Sequence, residues 1–330
     1  MKLPRRRFLH LAAGPAALPI LTLIARAQTY PSRPIAMVIG YAAGGPTDVV
    51  GRVVANAMRA SLGQPVVIEN VAGANGTIGT GRVVRAAGDG YTIGFGNWNT
   101  HVVNGAVYAL AYDLMNDFAP IAPIAAGPCL IVANKAIPAN NLKDLVAWLK
   151  ANPDRASVGT AGVGGSTGQV GGVFFRNMTG TRFGFVPYRG AGPALQDLVA
   201  GQIDLMFDLA ANSLPQVRAG TVKAIAVMSN SRTAAAPDIP TVDEAGLPGL
   251  YLSGWYAVFA PKRTPKEIIA KLNAAVRHAL ADQGVGKQLA DLGMEIFSPD
   301  QQTPEALAAL QRSEIDKWWP IIKAANIKAE

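Results

Sequence analysis

The sequence holds one cysteine, three histidines and little charge. Cys129 alone cannot form an intramolecular disulfide, and its solitude excludes cysteine-rich zinc or iron–sulfur chemistry. Three histidines leave little scope for a histidine-based metal site, so no metal or other cofactor is expected. Only 16% of residues are charged, against about 25% in ordinary globular chains. Half are hydrophobic, so the chain has ample apolar surface to bury and is not disordered. No uncharged apolar run after residue 27 reaches spanning length. Glycine and proline, 35 and 23 of 330 residues, stand between apolar runs and read as turns. The length suggests about two domains.

The formal charge of +8 is unevenly placed. Lys2, Arg5, Arg6, Arg7 and Arg26 lie in 1–27 with no acid, which leaves the remainder at +3. A basic total normally points to nucleic acid or a membrane surface. Here the excess sits in a leader, and no nucleic-acid partner is expected. The leader has Arg5-Arg6-Arg7, an apolar stretch over Phe8–Ile24, and Ala25-Arg26-Ala27 before Gln28. That order is an export signal cleaved near Ala27/Gln28, placing the mature protein in the periplasm. Arg5-Arg6-Arg7-Phe8-Leu9 also resembles the twin-arginine consensus. An ordinary secretory signal and an uncleaved anchor are the alternatives, and Gly14, Pro15 and Pro19 argue against the anchor. Cys129 then reads as a buried strand residue.

In the mature chain, short apolar runs alternate with helix-period stretches, the signature of βα units and a parallel sheet. Strands are expected at 35–39, 65–69 and 91–95, with helices at 48–62 and 76–87. A second set has helices at 142–150, 166–178 and 193–200 and strands at 157–160, 185–188, 203–207 and 222–228. The C-terminal third offers a strand at 250–259 and helices at 265–280 and 304–325. Thr264 and Thr303, each followed by proline, read as N-caps. Two βα arrays imply two lobes, with ligand bound beyond the carboxyl ends of their strands.

Two Gly-rich loops occupy that position. Gly40–Asp48 contains Gly44 and Gly45, and Gly159–Gly168 has the same strand, turn and helix grammar. Neither matches a dinucleotide or P-loop fingerprint, and neither contains Lys or Arg. Backbone amides at helix starts would face an anion there, and a carboxylate suits uncharged loops better than a phosphate. Asp48 also has a plain reading as an acid matched to the dipole of its helix. Gly164-Gly165-Ser166-Thr167-Gly168 satisfies the GxSxG nucleophile elbow, which opens the alternative of a secreted serine hydrolase. Its only downstream histidine, His278, lies inside an expected helix, and Ser166 serves more simply as an N-cap. His101, Asp208 and Trp255 could approach the cleft or be structural. Trp318-Trp319 reads as the anchor of the last helix.

Further segments carry a resemblance. Tyr41-Ala42-Ala43-Gly44-Gly45-Pro46-Thr47-Asp48, Glu69–Gly76, Asp89-Gly90-Tyr91-Thr92, Val186–Gly190, Gly201–Asp208 and Pro240–Gly246 together resemble the Bug-type receptors of tripartite tricarboxylate transporters. The similarity covers essentially the whole chain. It implies an α/β fold with two lobes like a class II periplasmic binding protein, each a mainly parallel sheet flanked by helices. The lobes would be 28–127 with 231–330, and 128–230, with crossings in 125–133 and 222–228. It implies a non-catalytic, monomeric receptor that grips a small carboxylate and delivers it to a membrane permease or a sensor. The residues placed at the ligand are Tyr41, Ala43, Gly44, Gly45, Thr47 and Asp48 of the first loop and Asn97, Trp98 and Thr100. From the other lobe come Thr160, Gly164, Gly165, Ser166, Thr167, Asp208 and Asn212. Gly165 and Gly168 stand where relatives often carry Ser and His. Trp98 beside two asparagines would favour a larger or aromatic acid.

Overall fold

The computed structural model describes residues 30–162 and 164–328. The expected leader and its cleavage point lie outside them. The first βα array runs β1 (Ile35–Ile39), α1 (Pro46–Leu62), β2 (Val66–Asn70), α2 (Thr77–Arg85) and β3 (Thr92–Asn97). A π-helical turn, Asn99–Val103, leads into the short α3 (Asn104–Val107). The long β4 (Phe118–Ala133) follows. The second array is α4 (Leu142–Ala151), β5 (Ser157–Thr160), α5 (Thr167–Thr179), β6 (Gly184–Pro187), α6 (Ala191–Ala200), β7 (Leu205–Leu209), α7 (Ala210–Arg218) and β8 (Lys223–Val227). The chain ends with β9 (Ser253–Pro261), α8 (Lys266–Ala281), α9 (Gln283–Asp291), β10 (Glu295–Ile296) and α10 (Pro304–Ala324).

The strands form one continuous path, β2-β1-β3-β9-β4-β7-β5-β6. Pairing is parallel within β2-β1-β3 and within β7-β5-β6, the expected βα units. It is antiparallel wherever β4 or β9 takes part, so each half is mixed. Phe118–Pro128 pairs with β9, and Cys129–Ala133 pairs with β7 and β8. β4 therefore joins the two halves. β8, where the return crossing is expected, pairs with β4 at Leu130–Ala133, and its last residue Val227 also bridges Thr241. Beyond it, Met228 and Leu252 bond to each other and to Cys129, tying 228–252 to the junction in β4.

Local chemistry accounts for most element ends. Ser166 and Thr303 accept from Gln169 N and Ala306 N, as N-caps do. Thr264 does not cap. Helix α8 begins one residue later with Pro265 at the cap position, and the Thr264 hydroxyl is buried without a partner. Helix α6 begins at Ala191 rather than Pro193, because a proline is tolerated in a first helical turn. Cys129 is fully buried in β4. The Trp319 indole donates to Val102 O at 2.8 Å, and Trp318 meets Trp98 edge-on at 5.0 Å. The final helix is thus pinned to the segment following β3.

Candidate functional site

A narrow cavity of about 40 Å³ lies between the two halves of the sheet. Four helices begin at its wall, represented by Thr47 of α1, Thr167 of α5, Ala191 of α6 and Leu209 at the cap of α7. No side chain caps α1, α6 or α7, so their first-turn N–H groups are open to an anion. The rest of the wall is Tyr41, Gly45, Pro46, Asn97, Asn99, Gly159, Ala161, Gly168, Met206, Phe207 and Asp208. No Lys or Arg contributes.

Of the residues expected at the ligand, Tyr41, Gly45, Thr47, Asn97, Thr167 and Asp208 line this cavity. Asn97 Nδ2 donates to Thr47 Oγ1 at 3.0 Å, joining β3 to the start of α1. The Tyr41 hydroxyl donates to Asn75, and burial pushes its pKa up, so it stays a neutral donor. Thr167 Oγ1 donates to Asn99 Oδ1 at 2.6 Å, a bond that crosses the cavity. Asp208 is 5% exposed and accepts from Asn212 Nδ2 at 2.7 Å. Burial pushes its carboxyl up to about 7, against the opposing pull of Asn212, Leu209 and Ser213.

The others stand back from the cavity. Ala43 and Gly44 face solvent. Asp48 is 3% exposed and holds the first loop from behind. It accepts from Gly44 N at 3.0 Å, Asn70 Nδ2 at 2.9 Å and Arg52 Nε at 2.9 Å. Burial raises its pKa, but Arg52, Gly44 and Asn70 together hold it below the usual carboxylate value. Trp98 is 1% exposed and packs on Trp318 in the core, so it gives no ground for an aromatic ligand. Thr100 bonds to Asn97 and His101 and orients them. His101 is buried with its ring stacked on Phe259 at 3.8 Å, and burial lowers its pKa to about 3.

In the second loop, Thr160 Oγ1 donates to Gly162 O. Gly164 O accepts from Tyr108 Oη at 3.2 Å and Asn75 Nδ2 at 3.4 Å, both from the other half. A side chain at Gly165 would begin 2.8 Å from Val107 Cγ2, with φ at +72°. At Gly168 it would meet Phe207 O at 2.7 Å. Val103, Val107 and the β7 backbone thus leave no room for a side chain at either position. Ser166 is fully buried as the cap of α5, and its hydroxyl accepts from Gln169 N. His278 lies in the last turn of α8 and lines an outer groove with Arg277 and Phe297. The serine–histidine pair that hydrolysis requires is therefore not assembled.

Sequence reasoning missed Asn75, Asn99, Asn104, Ala191, Met206 and Phe207. Asn75 and Asn104 exchange two bonds at 2.9 Å beneath Tyr41.

The profile of the tripartite tricarboxylate transporter family receptor matches residues 50–327. The chain belongs to that family. The receptor is 33% identical over 304 residues to the protein BugT of Bordetella pertussis, covering 92% of each chain. An Agrobacterium vitis relative, described only by its place in the TAR-I ttuE-ttuC' intergenic region, is 38% identical over 308 residues, 93% of this chain and 89% of the relative. Among solved structures, the periplasmic binding protein BugD superposes with a TM-score of 0.87 at 38% identity, covering 91% of the receptor and all of BugD. MatC from Rhodopseudomonas palustris, with bound malate, gives 0.85 at 39% identity, covering 89% and 100%. Members of this family are solute-binding proteins rather than enzymes. Among the described residues, no helix is long and apolar enough to cross a membrane.

Proposed function

We propose that the chain is a monomeric periplasmic receptor that captures a small aliphatic carboxylate and delivers it to a membrane permease of the tripartite tricarboxylate type or to a sensor. The observation that carries this reading is a partly open cavity at four helix starts, whose wall carries hydrogen-bond donors, one acid and no cation. Such donors satisfy a carboxylate's lone pairs through short charge-assisted bonds. The lobes would be 28–127 with 231–330, and 128–230, hinged where β4 passes from one half of the sheet to the other. Export would remove residues 1–27. MatC with malate and a Rhodopseudomonas palustris relative with adipate support carboxylates as the ligand class.

Calorimetry with mono-, di- and aromatic carboxylates, amines and neutral sugars tests the reading, with Gly45→Asp as control. A Cβ at Gly45 meets nothing closer than Gly192 N at 3.5 Å, so the fold accommodates it. Its carboxylate would occupy the starts of α1 and α6 and repel the ligand. Carboxylate binding lost in Gly45→Asp is the expected result. A sugar or amine bound in place of every carboxylate, or Gly45→Asp binding as tightly as the parent, would overturn it.

A further inference from the structure

The cavity wall has one acid and no base. If Asp208 were ionised when an anionic ligand enters, two carboxylates would share a narrow space whose wall holds no cation. Like charges this close cannot both remain ionised at neutral pH. We propose that Asp208 carries a proton whenever the cavity holds a carboxylate, and that its neutral carboxyl donates a hydrogen bond to a ligand oxygen. This rests on the carboxylate reading above and makes capture a proton-coupled event. No bond to carbon changes. One proton enters from solvent with the ligand and stays on the Asp208 oxygen.

The surroundings agree. From α7, Asn212 and Ser213 offer Asp208 only neutral donors. From β4 and β9, Cys129 and Tyr256 face it, and burial keeps both protonated. Tyr41 shares the cavity as a neutral phenol. Arg52 of α1 is paired with Asp48, and Arg189, two residues before the wall residue Ala191, is exposed. Burial already pushes the Asp208 carboxyl up to about 7, so a second negative charge in the cavity tips it to the protonated form at neutral pH.

Titrating the full-length mature receptor with malate and with adipate from pH 6 to pH 9 tests this. Above its titration point Asp208 must be reprotonated on binding, so Kd should weaken roughly tenfold per pH unit. Calorimetry in buffers of different ionisation enthalpy should count close to one proton taken up at pH 9. Asp208→Asn keeps an acceptor for Asn212 and cannot titrate, so it should bind with a Kd independent of pH and take up no proton. A bound carboxylate with a flat Kd in the parent, or an unchanged slope in Asp208→Asn, would overturn the proton coupling and leave the receptor reading intact. An amine or a sugar bound in place of both acids would sink the receptor reading itself. Infrared difference spectra of the ligand-free parent against Asp208→Asn give an independent readout. A protonated-carboxyl band should be present at pH 6 and gone by pH 9, and its absence at pH 6 would also overturn the proposal.

Discussion

Each half of the molecule buries one aspartate, Asp48 behind the first loop and Asp208 in the cavity wall, and their carboxyls are shifted in opposite directions. Asp48, in the first half, has Arg52 and two N–H donors, and is held below the usual carboxylate value. Asp208, in the second, has only neutral partners and is pushed up to about 7. Neither side chain meets much solvent, but the Asp208 carboxyl lies deeper among protein atoms and lacks a cation, whereas Asp48 is shallower and ion-paired, so depth of burial and partners together set the two directions. The first acid is spent on shape, since it fixes the backbone of the Gly40–Pro46 loop. The second keeps its chemistry available to whatever fills the cavity. The loops follow the same division. The first is braced from within its own half, whereas Gly164 of the second is held by Tyr108 and Asn75 from across the cavity.

The largest expected effect is at Asp208. Its folded pKa lies above the unfolded value, so its contribution to stability is complete below about pH 4. That contribution is lost as pH rises through about 7. The full loss is up to about 4 kcal/mol, at about 1.4 kcal/mol for each tenfold change in proton affinity. Asp208→Asn should lack this decline, so its thermal midpoint should overtake the parent's between pH 4 and pH 8. Parallel melting curves across that range would contradict the contrast between the two acids.

Asp48→Ala comes next, with the opposite pH sign. Removing an ionised acceptor of three bonds should cost about 3 kcal/mol at pH 7. Because the folded pKa is depressed, the stability that Asp48 supplies is present above about pH 4 and fades below it. Urea unfolding of parent and variant at pH 7 and pH 3 should show the gap narrowing in acid. A gap that widens would assign Asp48 the same role as Asp208.

Gly165→Ser tests the second loop. A Cβ there clashes with Val107 and demands a left-handed backbone, at a cost of about 1–2 kcal/mol. Val107→Ala should restore part of that loss through a coupling of about 0.5 kcal/mol or more. Strict additivity in the double mutant would show that this loop does not lean on the opposite half. Arg52→Gln should have the smallest effect. Its guanidinium is half exposed, so the pair is worth under about 1 kcal/mol. That loss should shrink further in high salt, as measured by chemical denaturation, and a salt-independent loss would mean that Arg52 acts through packing.

The βα grammar, the two Gly-rich loops, the caps at Ser166 and Thr303 and the kinship of the chain were all legible in the sequence. Each depends on residues within a turn or two of one another, where periodicity, capping and backbone freedom act locally. Most strand and helix positions followed for the same reason, but α7, α9, β10 and the first part of β4 did not. The wall of the cavity was not legible to that degree. Tyr41, Thr47, Asn97, Thr167 and Asp208 reach it, while Trp98, one residue beyond Asn97, turns into the core against Trp318. Asp48, one residue beyond Thr47, turns away to pin its loop. A helical or π-helical step rotates neighbouring side chains to different faces, so adjacency in sequence says little about a shared cavity. Asn99, Ala191 and Phe207 join the site only because β4 brings the two halves of the sheet together edge to edge. The state of Asp208 was decided the same way. Its sequence neighbours are neutral in any fold, but only the tertiary structure closes a cation-free wall around it.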